Sequence, residues 1–235
     1  MMTQAAHAIP DLYGETPARY SLVIFDFDGT LADSGDWFLS IADELAERFN
    51  FRRVAPAEIE GLRGKSTREV LRHLRISRWK LPAMARYIHK RLADEIDKIR
   101  LFDGVAELLQ TLSENGVRLA LVTSNSAPNA RAVLGASNIA LFEQMECGAS
   151  LFGKAPRYRR VLKRMRVDAA DALSIGDETR DILASRKVGL TAAGVLWGYA
   201  AREALAAAGP DALFTSTVDV RRFVLGNAAA TESIV

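Results

Sequence analysis

The sequence predicts an α/β protein: a parallel sheet with helices on both faces and an all-helical block inserted after the first strand. Three observations lead there. From about residue 102 onward, short apolar runs alternate with segments of helical periodicity, the pattern of a parallel sheet wrapped by its crossovers. A further apolar run, within LVIFDFDGT (22–30), precedes that alternation and reads as the first strand. Between the two, from about 34 to 101, apolar residues recur at helical spacing and no strand is evident.

In chain order, residues 1 to about 19 read as a loose arm punctuated by Pro10, Gly14 and Pro17. The first strand covers about 20–26. A helix is expected over Asp36–Phe49, where Trp37, Phe38, Ile41, Leu45 and Phe49 share a face. Further helices are expected near 55–62, 66–75 and 82–98. The stretch LFDGVAELLQTLSENGVRLALVTSN then reads as helix, glycine stop and strand (117–123). Helix 127–135, strand 141–146, helix 156–165, strand 172–176, helix 179–188, strand 191–196, helix 201–208 and strand 212–215 follow, with a last helix after them. This divides the chain into an arm (1–19), a discontinuous core (20–33 and 102–235) and a helical cap (34–101).

The chain has 235 residues, 49% hydrophobic and 26% charged, with a net charge of +2, which demands no polyanionic partner. The single cysteine, Cys147, forms no internal disulfide, which fits a reducing cytoplasm. The first residues carry no secretory signal pattern, and no apolar run has the length of a membrane span, so neither a membrane nor a nucleic acid is an expected partner. The helix PRYRRVLKRMRV is basic but lacks interleaved aromatics and reads as a solvated face. His7, His73 and His89 have no metal-ligand spacing. The oligomeric state stays open between monomer and weak dimer.

In open parallel sheets, ligands bind at the carboxyl ends of the strands. Four such ends carry reactive groups: Asp26 and Asp28 after the first strand, Thr123, Ser124 and Asn125 after the second, Lys154 after the third, and Asp177 with Asp181 after the fourth. Crowded carboxylates suit a hard divalent cation with oxygen ligands, and Mg²⁺ commonly combines one or two carboxylates with a substrate phosphate. Each residue also has a plainer reading. Asp28-Gly29 is turn chemistry. Asp177, Thr123 and Ser124 are acceptable helix caps. A lone lysine is usually solvated. Their joint placement after successive strands favours a site.

The four stretches DFDGT, LVTSN, FGKAP and GDETRD, in that order, resemble the haloacid dehalogenase-like superfamily of phosphotransferases, and the similarity spans nearly the whole chain. The flow of LFDGVAELLQTLSENGVRLALVTSN and ALSIGDETRDILASRKVG is similar to phosphoglycolate phosphatase-like members. The resemblance implies a Rossmann-like core, a small helical cap and Mg²⁺-dependent hydrolysis of a small-molecule phosphate monoester. By it, Asp26 is the nucleophile that forms an aspartyl-phosphate, and Asp28 is the acid and base. Thr123, with Ser124 and Asn125, binds phosphoryl oxygens, and Lys154 neutralises charge, with Lys163 as the neighbouring alternative lysine. The metal is held by Asp26, Asp177 and the backbone carbonyl of Asp28, with Asp181 behind them. In the cap, GLRGKSTREVLRHL resembles a specificity loop and nominates Arg63 and Lys65 as substrate-binding residues. A sugar-phosphate mutase of the β-phosphoglucomutase type, or a non-catalytic phosphate-binding regulatory module, would use the same residues.

Overall fold

The computed structural model describes residues 18–148 and 153–226. All but the last two residues of the expected arm, together with His7 and the first three residues of SLFGKAP, lie outside the described residues.

In chain order, the described elements begin with β1 (Leu22–Phe25), β2 (Ala32–Asp33), α1 (Gly35–Ser40), α2 (Ala42–Phe49), α3 (Ile59–Arg63), α4 (Thr67–His73), α5 (Leu81–Asp94) and β3 (Arg100–Leu101). They continue with α6 (Val105–Glu114), β4 (Arg118–Val122), α7 (Ala127–Ile139), β5 (Phe142–Glu146), α8 (Lys154–Met165), β6 (Ala172–Gly176) and α9 (Thr179–Arg186). The last are β7 (Thr191–Val195), α10 (Arg202–Ala207), β8 (Ala212–Phe214) and α11 (Thr217–Leu225).

Six strands form one sheet in the order β5-β4-β1-β6-β7-β8, and every pairing in it is parallel. The central strand β1 is buried along its whole length, as a strand covered on both faces must be. Its side chains alternate. Leu22 and Ile24 pack with Tyr158, Val161, Leu162 and Met165 of α8, while Val23 and Phe25 join the cluster containing Leu108, Leu109 and Leu112 of α6 and Val220 and Val224 of α11. Strands β4 and β5 lie on one side of β1, and β6, β7 and β8 on the other. The strand order therefore reverses at β1, which opens a crevice at its carboxyl end. Asp26 stands at that end.

The helical block differs from expectation in two ways. Where the chain leaves and re-enters the core, β2 and β3 form a small antiparallel ribbon, Ala32 opposite Leu101 and Asp33 opposite Arg100. Two residues per strand are too few to show a period of two, so the ribbon leaves no sequence signal. The helix expected over 36–49 breaks at Ile41 (φ −99°, ψ 0°) into α1 and α2. The helix after β4 likewise extends beyond 135 to Ile139 across a break at Gly135. Among the described residues, no helix is long and apolar enough to cross a membrane.

Candidate active site

The end of β1 is shaped by a tight turn. The carbonyl of Phe27 accepts from the backbone N–H groups of Thr30, Leu31 and Ala32, and Gly29 takes φ +76°, a conformation that suits a residue without a Cβ. A Cβ on Gly29 would stand 2.2 Å from Asp177 Oδ2. The turn thus brings the backbone behind Asp28 directly against the carboxylate at the end of β6. Gly198, after β7, closes on Asp177 from another side, where a Cβ would meet the Asp177 Cβ at 2.2 Å. Three strand ends converge on this one carboxylate.

Asp177 is fully buried. Thr30 Oγ1 donates to its Oδ1 at 3.0 Å, and the Tyr199 backbone N–H donates to its Oδ2 at 2.9 Å. Asp26 and Asp181 are also buried. Between them sits Lys154 Nζ, 2.5 Å from Asp26 Oδ2 and 2.5 Å from Asp181 Oδ1. Lys154 is only 3% exposed, which disposes of the solvated-lysine reading, and Lys163 lies exposed farther along α8. The plain capping readings also fail. The residue capping α9 is Glu178, not Asp177, and the cap of α7 is Ser126, whose side chain accepts from the Asn129 N–H.

Burial raises the Asp26 carboxyl to about 7, against the opposing pull of Lys154. Burial, with Glu178, Asp26 and Asp181 nearby, raises Asp177 well above the usual carboxylate range. Lys154 is held firmly protonated: burial works against its charge, but Asp181 and Asp26 outweigh it. Asp26, Asp177 and Asp181 crowd around Lys154, with Arg180 close by, and the raised Asp26 and Asp177 show that burial opposes their ionisation, which an added cation would favour.

The donor set fits a hard cation. One oxygen each from Asp26, Asp177 and Asp181 lie within 4.8 Å of one another. All are carboxylate oxygens, the chemistry Mg²⁺ takes. The side chain of Asp28 is not in this group. Its oxygens accept from Asn125 Nδ2 at 3.1 and 3.0 Å and from Ser34 Oγ at 3.1 Å. Burial raises its pKa, while Ser34 and Asn125 restrain the rise.

Thr123 is buried one residue beyond β4, next to β1 in the sheet, and its Oγ1 accepts from the Asn125 N–H at 2.9 Å. Ser124 is half-buried, and its backbone is hydrogen-bonded by His89 of α5. The two cap candidates are not brought into the carboxylate cluster. Arg63 is exposed and donates to the Gly198 carbonyl at 3.2 Å, joining α3 to the loop after β7. Lys65 is exposed, and its charge adds to the hydrogen bonds from Ser66 that hold Glu69 below the usual carboxylate range.

Several residues around the site escaped sequence reading. Tyr199 Oη lies 2.6 Å from Ser34 Oγ, and Trp197 Nε1 donates to the Thr30 carbonyl at 3.0 Å. Both follow β7, a fifth strand end that the carboxyl-edge rule would have flagged. Arg180, inside GDETRD, is the other: burial raises Asp26 and Asp28, and the charge of Arg180 is among the influences that restrain the rise. The basic helix α8 also does more than face solvent: Arg157, Arg160 and Arg164 all pair with the buried Glu146, at 2.7, 2.9 and 2.8 Å.

A parallel sheet that gathers acidic side chains and a buried lysine at its carboxyl edge marks an α/β protein with its site at the ends of its strands. Residues 23–195 match the haloacid dehalogenase-like hydrolase family, and the chain belongs to it. A phosphoglycolate phosphatase from Synechococcus elongatus is 34% identical over 203 residues, covering 86% of this chain and 96% of its own. A probable phosphatase, IndB, from Dickeya dadantii is 29% identical over 89% of this chain and 94% of its own. Among solved structures, a predicted phosphatase from Clostridium acetobutylicum superposes with a TM-score of 0.73 at 22% identity, covering 88% of this chain and 99% of that one. The fold is therefore the Rossmann-like core of that family with a helical cap.

Proposed function

We propose that the protein is a Mg²⁺-dependent phosphatase that hydrolyses a small-molecule phosphate monoester of the phosphoglycolate or sugar-phosphate kind through an aspartyl-phosphate on Asp26. The observation that carries this reading is the buried arrangement of Asp26, Lys154 and Asp181 beside Asp177. The relative named phosphoglycolate phosphatase supports the substrate class, and CbbY from Rhodobacter sphaeroides, a fold neighbour with a TM-score of 0.66, was solved with xylulose-(1,5)-bisphosphate.

Asp26, Asp177 and the backbone carbonyl of Asp28 would hold the cation, with Asp181 fixing Lys154 behind them. When bound, Mg²⁺ screens the repulsion between the anionic nucleophile and the anionic phosphate and aligns the two. Asp26 attacks phosphorus, which divides one difficult displacement into two easier ones. Asp28, its pKa raised by burial, gives a proton to the leaving alcohol and later takes one from the water that cleaves the acyl phosphate. Two carboxylates one residue apart can hold these different roles because their surroundings differ: Asp26 faces Lys154 and Asp28 faces amide and hydroxyl donors. Thr123 and Lys154 meet the phosphoryl oxygens as charge develops. The cap shuts out water, and its Arg63 and Lys65 remain the proposed substrate contacts.

The test is phosphate release from a broad set of phosphorylated metabolites, with and without Mg²⁺. Release from a small monoester that disappears on chelation is expected. No release from any ester would overturn the reading, and isomer formation without release would indicate a mutase.

A further inference from the structure

Arg180 is a cationic side chain at this edge that no step above uses. It lies in the first turn of α9, and its Nη2 donates to Glu178 Oε1. The other Glu178 oxygen, Oε2, accepts from Thr67 Oγ1 at 2.9 Å. Thr67 is the first residue of α4, so a cap residue, a core carboxylate and Arg180 form a chain of contacts across the cap and core. The guanidinium is surrounded by Glu178, Asp181, Asp26 and Asp177, whose charges hold it protonated against the effect of burial.

Its hydrogen bonding is incomplete. Nε and Nη1 are shut off from solvent, and neither has a partner. A guanidinium has five N–H donors and no acceptor, and native interiors leave few such donors unmet. A cation does not satisfy them; an oxygen anion does. We propose that Arg180 is a further binding residue of this site, whose unspent N–H donors take an oxygen of the substrate's phosphate, held in position by Glu178 and through it by Thr67. The inference rests on the phosphatase reading for the identity of that anion. It also accounts for charge: a phosphate dianion entering beside Asp26, Asp28, Asp177 and Asp181 meets two fixed cations, Lys154 and Arg180, rather than one. Arginine suits the position because its planar fork directs several donors at one oxyanion.

The experiment is calorimetric binding of inorganic phosphate to the Mg²⁺-loaded full-length protein, for the wild type, Arg180→Gln and Arg180→Lys. Mg²⁺ affinity and melting temperature are measured alongside. Loss of charge-assisted hydrogen bonds predicts phosphate binding weaker by roughly 10- to 100-fold in Arg180→Gln. Mg²⁺ affinity should be unchanged or tighter, since a like charge is removed. Arg180→Lys, which keeps the charge without the fork, should fall between. Phosphate affinity within twofold of wild type in a folded Arg180→Gln protein would overturn the proposal and leave Arg180 as a structural partner of Glu178. Should Arg180→Gln fail to fold, Arg180→Lys decides: weakening of threefold or more supports the proposal, and wild-type affinity overturns it. Phosphate binding is read without turnover, so failure of this inference is distinct from failure of the phosphatase reading, which the phosphate-release screen on the wild type decides.

Discussion

The carboxyl edge of the sheet and the helical cap contrast in how firmly their side chains are held. At the sheet edge, Asp26, Thr123, Lys154, Asp177 and Asp181 are all buried, each fixed by the end of a strand or the first turn of a helix. In the cap, α3 and α4 bury no residue at all, and these two helices meet the core through hydrogen bonds such as Arg63 to Gly198 and Thr67 to Glu178. Groups that react need preorganisation, because a misplacement of about 1 Å can cost on the order of 100-fold in rate. Groups that select a substrate can sit on a looser, movable element. The contrast therefore predicts large effects on turnover from the edge and small effects, mainly on KM, from the cap.

The strongest way to break the comparison is Asp26→Asn. It keeps the shape and removes the proposed nucleophile, so phosphate release should fall by roughly a thousandfold or more. A folded variant with near-normal release would remove the contrast altogether. Next is Lys154→Met. It should lower kcat by about 100- to 1000-fold and, by leaving Asp26 and Asp181 to face each other unpaired, cost about 3–5 kcal/mol of stability in the metal-free protein. Denaturant unfolding and steady-state kinetics would check the two effects separately.

A third prediction concerns pH. Burial raises Asp26 from 3.8 to about 7 and Asp177 in the same direction. The folded metal-free protein therefore binds more protons than the unfolded chain between about pH 4 and 7. The stability the Asp26 carboxyl contributes is complete in acid and is lost as pH rises through about 7, and Asp177 acts in the same sense. Asp28 is raised as well, so His89, lowered by burial, acts in the opposite sense near neutrality as one group against three. Melting temperature in chelator should decline from pH 5 to 8, and added Mg²⁺, which needs ionised carboxylates, should stabilise more at pH 8 than at pH 5.5. A melting temperature that rises across that range in chelator would contradict the burial argument.

The smallest effect belongs to the cap. Arg63→Ala removes an exposed contact with a carbonyl and should raise KM a few-fold with kcat nearly unchanged, since one such hydrogen bond is worth only about 0.5–1.5 kcal/mol. A large fall in kcat would show that the cap arginine reaches the reacting atoms and would narrow the difference between the two regions.

The same contrast explains what could be read from the sequence. The strands of the core were legible because central parallel strands must be short and largely apolar, and LVIF, RLALV and ALSIG are such runs, broken only by Arg118 at one end and Ser174. The carboxylates were legible because a strand end fixes where its next residue lies. Tyr199 was passed over, although it too follows a strand, because its contact with Asp177 is through a backbone N–H, which any non-proline residue supplies, and its hydroxyl meets Ser34 only in the fold. Arg180 was hidden inside a recognised stretch, since only the fold shows that its donors lack partners. In the cap, Arg63 and Lys65 were chosen by charge and a glycine bend. Charge on an exposed helix end does not determine where a long side chain finishes, and Arg63 turns to Gly198.

The covalent role of Asp26 can be tested with Asp28→Asn and an aryl phosphate. A phenolate leaves without an acid, so the first step survives in this variant, while hydrolysis of the acyl phosphate lacks its base and slows. The intermediate should accumulate, and borohydride should reduce it to homoserine at position 26, identified by peptide mass spectrometry and absent when Asp26→Asn is added. Continued phenol release with residue 26 unmodified, or modification at another residue, would contradict the account.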